Sequence, residues 1–222
     1  MFEVIGKIAI IPKAGQKKEK KELKELALKL LRQKNIEAVY LREKIKGRLR
    51  LPALKWLAGK KKTETIHKEA GCLMKLDIKK CYFSPRLGTD RLEIAKKVKK
   101  GEKILVMFAG VAPYALIIAK HSKAKEVYCV EISSIACKYA RENVRINKFE
   151  NIKIIQGDVK KIIPKLRMKF DRIIMARPQL KESFLREAFL VGKKGTVVHF
   201  YDFLNKEELK IVKKRVEEEA KK

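Results

Sequence analysis

The sequence is poor in the residues that mark metal, redox or membrane chemistry. It has three histidines and four cysteines among 222 residues. His67, His121 and His199 are scattered, with no Cys or His at ligand spacing, so no zinc site is expected. Cys72, Cys81, Cys129 and Cys137 show neither paired spacing nor the density of a disulfide framework. A reduced, cytoplasmic chain is the reading. No window approaches the ~18 uninterrupted apolar residues of a membrane span, and the first residues do not read as a secretory signal. There is no long linker, low-complexity tract or internal repeat. The G-x-G-x-x-G fingerprint is also missing, which argues against a nicotinamide dinucleotide.

Acidic residues are scarce too. Lys and Arg number 56 against 26 Asp and Glu, a formal charge of +30 with a pI near 10.0. Residues 1–100 carry 29 basic and 11 acidic residues, and residues 101–222 carry 27 and 15. Hydrophobic residues make up 46%, enough to build a core, so this is not a disordered basic tail. A lysine-rich solubilising surface is one explanation of the excess. A polyanionic partner, nucleic acid first, is the preferred one, because counterion release rewards many Lys contacts at once.

The fold class is α/β, in two units. Residues 1–78 read as a small α/β domain. An apolar run over 4–11 predicts a strand. A helix follows, with Leu23, Leu26, Ala27, Leu30 and Leu31 on one face. Further strands are expected over 38–42, 47–51, 63–67 and 72–77, with a basic loop at Lys60, Lys61 and Lys62. Trp56 is expected in the core. From residue 79 to 222 strands alternate with helices: strands over 103–108, 126–131, 152–156, 171–176 and 195–201, helices over 113–121, 133–147, 180–190 and 206–220. That alternation predicts a Rossmann-like, mostly parallel sheet, with ligands beyond the carboxyl ends of its strands.

Three features fall at those strand ends in the order a nucleoside cofactor needs. Phe108-Ala109-Gly110-Val111-Ala112-Pro113 leaves the first strand, with small residues that let backbone approach a ligand. Glu131 ends the second, where a carboxylate can accept both ribose hydroxyls. Gly157-Asp158 follows the third, within reach of an adenine amino group. Each alone is also a turn glycine, a solvated Glu or a capping Asp. Together they favour S-adenosylmethionine.

The segment Tyr82-Phe83-Ser84-Pro85-Arg86-Leu87-Gly88-Thr89-Asp90-Arg91, followed by Met107-Phe108-Ala109-Gly110-Val111, resembles the archaeal and eukaryotic tRNA (guanine-N1)-methyltransferase family. Further matches are Thr63 to Glu69 (TETIHKE), Glu142 to Asn147 (ENVRIN) and His199-Phe200-Tyr201, so the resemblance covers residues 2–210. It implies a class I methyltransferase fold, S-adenosylmethionine as cofactor, tRNA as partner, and the guanosine 3′ of the anticodon as target. By the same resemblance, Arg50 in Gly47-Arg48-Leu49-Arg50 matches the cation beside guanine O6, and Asp90 matches the general base, where the family has Glu. Tyr82, Arg86, Phe108, Ala109, Gly110, Val111, Pro113, Glu131, Ile132, Asp158, Val159 and Ala176 match cofactor-side positions. Arg48, Lys60, Lys61, Lys62, Arg177 and Pro178 are the tRNA-side candidates, with the three lysines expected beside the catalytic edge. Asp90 equally suits a helix cap, and Arg50 a phosphate contact or surface ion pair.

The sequence departs from the family where Val106 replaces an Asp, Ala112 a Gly, and Ala176-Arg177-Pro178 an Asn-Leu-Pro. Relative to full-length members both ends are short, which leaves the strand over 195–201 as an apolar edge for a second copy or partner chain to cover. Two alternatives stay open. One is a degenerate relative that holds tRNA and cofactor without efficient chemistry. The other is the related wybutosine-pathway aminocarboxypropyl transferase, which shares part of the YFSPRLGT segment.

Overall fold

The computed structural model describes residues 2–13, 19–175, 183–201 and 208–220. The apolar run over 4–11 is not one strand. Gly6 adopts φ +56° and turns the chain, so β1 (Glu3–Ile5) pairs antiparallel with β2 (Ile8–Pro12). A Cβ at Gly6 would collide with Thr65 Oγ1 and the Ile66 carbonyl, a close approach that only glycine permits.

Helix α1 (Lys20–Leu31) leads to β3 (Ala38–Lys46), which lies parallel to β2, and β4 (Leu51–Gly59) returns antiparallel to β3. The expected strand over 47–51 is instead a turn at 47–50 followed by the start of β4. The order across this sheet is β1-β2-β3-β4. Alternation along β2 serves both faces: Ala9 and Ile11 pack under Ala27 and Leu30 of α1, while Ile8 and Ile10 enter the main core. Trp56 is not core. It lies on β4 with 39% of its surface exposed, its indole N–H donates to the Gly59 carbonyl (3.2 Å), and the Lys61 ammonium sits 5.2 Å from its ring.

β5 (Glu64–Glu69) and β6 (Cys72–Asp77) form a separate hairpin. Then follow a 3₁₀ turn at Pro85–Leu87, α2 (Gly88–Lys97), β7 (Lys103–Met107), α3 (Pro113–His121), β8 (Glu126–Glu131), α4 (Ser134–Ile146), β9 (Ile152–Gln156) and α5 (Val159–Ile162). The described chain ends with β10 (Arg172–Met175), α6 (Leu185–Leu190), β11 (Val197–Phe200) and α7 (Glu208–Ala220). Of the expected segments, Ala176, residues 180–182 and residues 206–207 lie outside the described residues. The five strands pair in parallel in the order β11-β10-β7-β8-β9. Connections run to one side of β7 through β8 and β9, then to the other side through β10 and β11. The sheet order therefore reverses beside β7, which places the ligand crevice over the carboxyl ends of β7 and its neighbours.

Side chains of α4 fasten the β5–β6 hairpin to this layer. Asn143, fully buried, accepts from the Lys75 N–H (2.7 Å) and donates to the Lys75 and Val111 carbonyls (3.0 and 3.1 Å). Asn147 does the same at Leu73. One hydrophobic core runs from Ile8, Ile10 and Tyr40 of the small sheet through Met74 and Leu76 to Ile104 of the large sheet and Leu116 of α3.

Candidate active site

A cavity of about 480 Å³ opens where the small sheet meets the carboxyl ends of β7 and β8. The turn between β3 and β4 brings Arg48, Leu49 and Arg50 to one wall. The segment before α2 brings Tyr82, Phe83, Ser84 and Arg86 to another. The loop after β7 contributes Phe108 and Gly110, and the end of β8 contributes Glu131, Ile132 and Ser133. Tyr114 and Tyr201 line it as well.

The loop after β7 is tightly wound. Phe108, Gly110 and Ala112 all have positive φ (60°, 57° and 67°). A non-glycine residue in that region costs about 1–2 kcal/mol, so the fold holds this loop against its local preference. Gly110 suits its φ of +57°, and a Cβ there would meet the Tyr82 carbonyl only at ordinary contact distance (3.8 Å). Ala112 and Val106 are both buried in the core and do not line the cavity. The methyl of Ala112 therefore does not project into the cavity.

Glu131 is buried at the cavity wall. Its Oε2 accepts from the Gly110 N–H (2.8 Å) and its Oε1 from the Ser133 N–H (2.8 Å). An ionised carboxylate has about four acceptor sites, so acceptor positions remain for a diol. Asp158 caps α5 through the Lys160 N–H (3.0 Å) and takes an ion pair from Arg48 (2.7 Å). Burial alone would raise its pKa, but the Arg48 and Lys160 bonds outweigh it and hold the carboxyl below its ordinary range. Asp158 thus reaches the cavity through Arg48.

On the opposite wall the Arg50 guanidinium lies 5.0 Å from the Tyr82 ring centroid. Arg86 pairs with Glu3 (2.6 Å), which also accepts two bonds from Arg42 (2.9 and 3.3 Å). Asp90 does not cap α2, whose N-cap is Leu87. Its Oδ2 accepts from two phenols, Tyr114 (2.6 Å) and Tyr201 (2.7 Å). The adjacent Arg91 is 1% exposed, bonds Glu69 twice (2.7 and 2.6 Å), donates to the Ser84 carbonyl (3.1 Å), and lies over the rings of Phe83 (5.2 Å) and Tyr114 (5.7 Å).

The structure therefore brings Arg48, Arg50, Tyr82, Arg86, Phe108, Gly110, Glu131 and Ile132 to one cavity. Ala109, Val111 and Val159 are buried in the core, and Pro113 opens α3; these four support the wall rather than line it. Lys60, Lys61 and Lys62 are not among the residues that line the cavity. They follow β4, at the opposite end of that strand from the Arg48–Arg50 turn, and the Lys62 carbonyl accepts from the Tyr40 hydroxyl (3.2 Å). Ala176, Arg177 and Pro178 lie outside the described residues. Sequence reasoning missed Glu3, Arg42, Tyr114 and Tyr201. The two tyrosines stood inside segments already singled out, but nothing local tied either one to Asp90. Cys81 lines the cavity, yet burial pushes its thiol up to about 12, so it is no nucleophile there. Among the described residues no cluster of His, Cys, Asp and Glu could hold a metal, and no helix is long and apolar enough to cross a membrane.

The TRM5/TYW2 methyltransferase domain matches residues 65–222. The chain belongs to this family. It is similar to the tRNA (guanine(37)-N(1))-methyltransferase Trm5b of Pyrococcus abyssi. The two are 41% identical over 208 residues, covering 91% of this chain and 59% of that protein. Against the crystal structure of that Trm5b the TM-score is 0.87, at 38% identity, covering all of this chain and 66% of the other. Against the complex of aTrm5 and tRNALeu it is 0.83, at 32% identity, covering 97% and 63%. Against TYW2 of Methanocaldococcus jannaschii in complex with AdoMet it is 0.73, at 26% identity, covering 100% and 85%. The chain of this TRM5/TYW2 member thus spans about three fifths of the Trm5b sequence it resembles.

Proposed function

We propose that this protein is an S-adenosylmethionine-dependent tRNA methyltransferase acting on N1 of the guanosine 3′ of the anticodon. One observation carries the reading. A single cavity joins a loop-bound carboxylate suited to a ribose, Glu131 beside Gly110, to the cation–aromatic pair Arg50–Tyr82 and the Asp90–Tyr114–Tyr201 cluster. The donor set fits the cofactor: Glu131 has spare acceptor positions, Asp158 stands at the next strand end, and Gly110 lines the cavity. When bound, S-adenosylmethionine supplies an electrophilic methyl group.

Guanine N1 carries a proton at neutral pH, and negative charge develops at O6 as that proton leaves. Arg50 stabilises the charge and Asp90 receives the proton. Tyr82 offers a ring face for a base turned out of its loop, as enzymes acting on bases require. Arg48 and the more distant Lys60, Lys61 and Lys62 contact phosphates, so the tRNA lies along the β3–β4 ribbon rather than at its tip alone. Placement in the cytoplasm, where tRNA is found, goes with this reading.

The aminocarboxypropyl alternative is supported less well, since identity and TM-score are lower against TYW2 than against Trm5b. A second copy covering the edge of β11 is part of the proposal: among the described residues β11 pairs only with β10, and Val197 is exposed. Strictly monomeric light scattering at high concentration would count against this second copy. The test of the function is transfer of labelled methyl to tRNA transcripts with G or A after the anticodon. Label at guanine N1 in the G transcript alone supports it, and label in neither refutes it.

A further inference from the structure

We propose that Tyr201 passes the substrate's proton to Asp90, while Tyr114 holds the carboxylate in place to receive it. This inference rests on the methyltransferase reading and concerns how this chain takes the N1 proton.

The geometry is specific. Asp90 is not among the residues that line the cavity, but both phenols bonded to its Oδ2 are. A base reaching into the cavity therefore meets a hydroxyl group first and the carboxylate behind it. The two tyrosines are not equivalent. Tyr114 is buried on α3, with its ring under the Arg91 guanidinium. Tyr201 follows β11 at the rim and is only half-buried, with its ring 6.3 Å from that of Tyr114. Tyr201 is thus the relay and Tyr114 the positioning residue.

The protonation states agree. Burial first, then the bond to Asp90, raises both hydroxyls above their ordinary value, so neither is a phenolate at neutral pH. A neutral phenol removes a proton only by giving up its own, and Asp90 is where that proton goes. The other charged groups facing this cluster are Arg91, held by Glu69, and His199 on β11. Burial and then Arg172 lower the His199 pKa, and its Nε2 accepts from Arg172 (2.8 Å), so it is neutral and does not compete for the proton. The step balances. The N1 proton moves to Tyr201 Oη as the Tyr201 proton moves to Asp90 Oδ2. The N1 lone pair takes the methyl group as its bond to the sulfonium breaks, the bonding pair stays on sulfur as a neutral thioether, and Asp90 later releases its proton to water.

The test is single-turnover methyl transfer at saturating cofactor and tRNA, from pH 6 to 9, for wild type, D90N, Y201F, Y114F, the Y201F/D90N pair and Y201F/D90E. A relay predicts that Y201F and D90N each slow transfer about 100-fold, within the range for a lost acid–base group. The pair is no slower than D90N alone, as expected of groups acting as a unit. Both single variants then speed up steadily with pH as hydroxide replaces the relay, where wild type levels off. Y114F loses less than Y201F. Lengthening the carboxylate in Y201F/D90E restores much of the rate by direct contact. Y201F within threefold of wild type, or a pair that multiplies the two losses, overturns the relay. So does a Y201F defect confined to cofactor affinity. A wild-type protein that transfers no methyl group fails the functional reading itself, a different outcome from an active wild type indifferent to Y201F.

Discussion

Replacing Glu69 by Gln should destabilise the protein by about 3 kcal/mol at neutral pH, because it strands Arg91. The pair is buried, with side-chain exposures of 2% for Arg91 and 12% for Glu69. Burial alone would raise the Glu69 carboxyl, but the bonds from His67 and Arg91 overcome it and hold the pKa at about 2, against an ordinary 4.5. At about 1.4 kcal/mol for each pH unit between those values, the ionised pair contributes on the order of 3 kcal/mol. Breaking one side of a buried ion pair gives a similar figure, about 3–5 kcal/mol. The sign follows from the direction. A carboxyl lowered on folding adds stability that is complete above its unfolded pKa of 4.5 and is lost as pH falls toward 2. The wild-type advantage over E69Q is therefore constant from pH 8 to 5.5 and less than half of its full size by pH 3. Urea unfolding followed by circular dichroism at pH 7, 5.5, 4 and 3 measures this. A difference below 1 kcal/mol at pH 7, or one independent of pH, would refute the reasoning. The effect reaches the site, since Arg91 lies over Tyr114 and follows Asp90 in sequence.

Three further outcomes are expected. Arg50→Ala should leave tRNA affinity nearly intact and reduce single-turnover methyl transfer at least tenfold; unchanged turnover would remove Arg50 from the chemistry. Replacing Lys60, Lys61 and Lys62 together by Ala should weaken tRNA binding and flatten its dependence on salt by up to three phosphate contacts, read from affinity between 50 and 200 mM salt; an unchanged slope would place the RNA elsewhere. Asn143→Ala should cost about 3 kcal/mol, since it leaves the Lys75 N–H and two carbonyls without their buried partner. It should also speed hydrogen exchange at Lys75 more than at β7, and uniform exchange would contradict the strapping role.

The large sheet was legible because its inner strands β7, β8 and β10 are buried on both faces. KILVMF over 103–108 and EVYCVE over 126–131 read as continuous apolar runs, and each of the helices α3 and α4 starts within one residue of its expected position. The small sheet was less legible for two reasons. The run over 4–11 hid a turn, since Gly6 is tight only against Thr65 and Ile66, some 60 residues away in the sequence. The β3–β4 ribbon is half-exposed along much of β4, so its alternation is weak, and Trp56 faces solvent where composition argued for core. At the site, Glu131, Gly110, Arg50 and Tyr82 could be placed by strand ends and motif. The ties of Tyr114 and Tyr201 to Asp90 could not, because they join α2 to α3 and to the segment after β11 across 24 and 111 residues. Asp158 meets Arg48 across 110 residues, again beyond any local pattern.

The proposed reaction in this cavity is transfer of a methyl group to guanine N1. The most direct measurement gives the protein an unmodified tRNA transcript with guanosine after the anticodon. S-adenosylmethionine is labelled in one run on the methyl group and in a second on the aminocarboxypropyl portion, and both products are digested to nucleosides. Methyl label in 1-methylguanosine and no label in the second run are expected. Aminocarboxypropyl label on the nucleoside, or cofactor bound with no label transferred in either run, would contradict the proposed reaction.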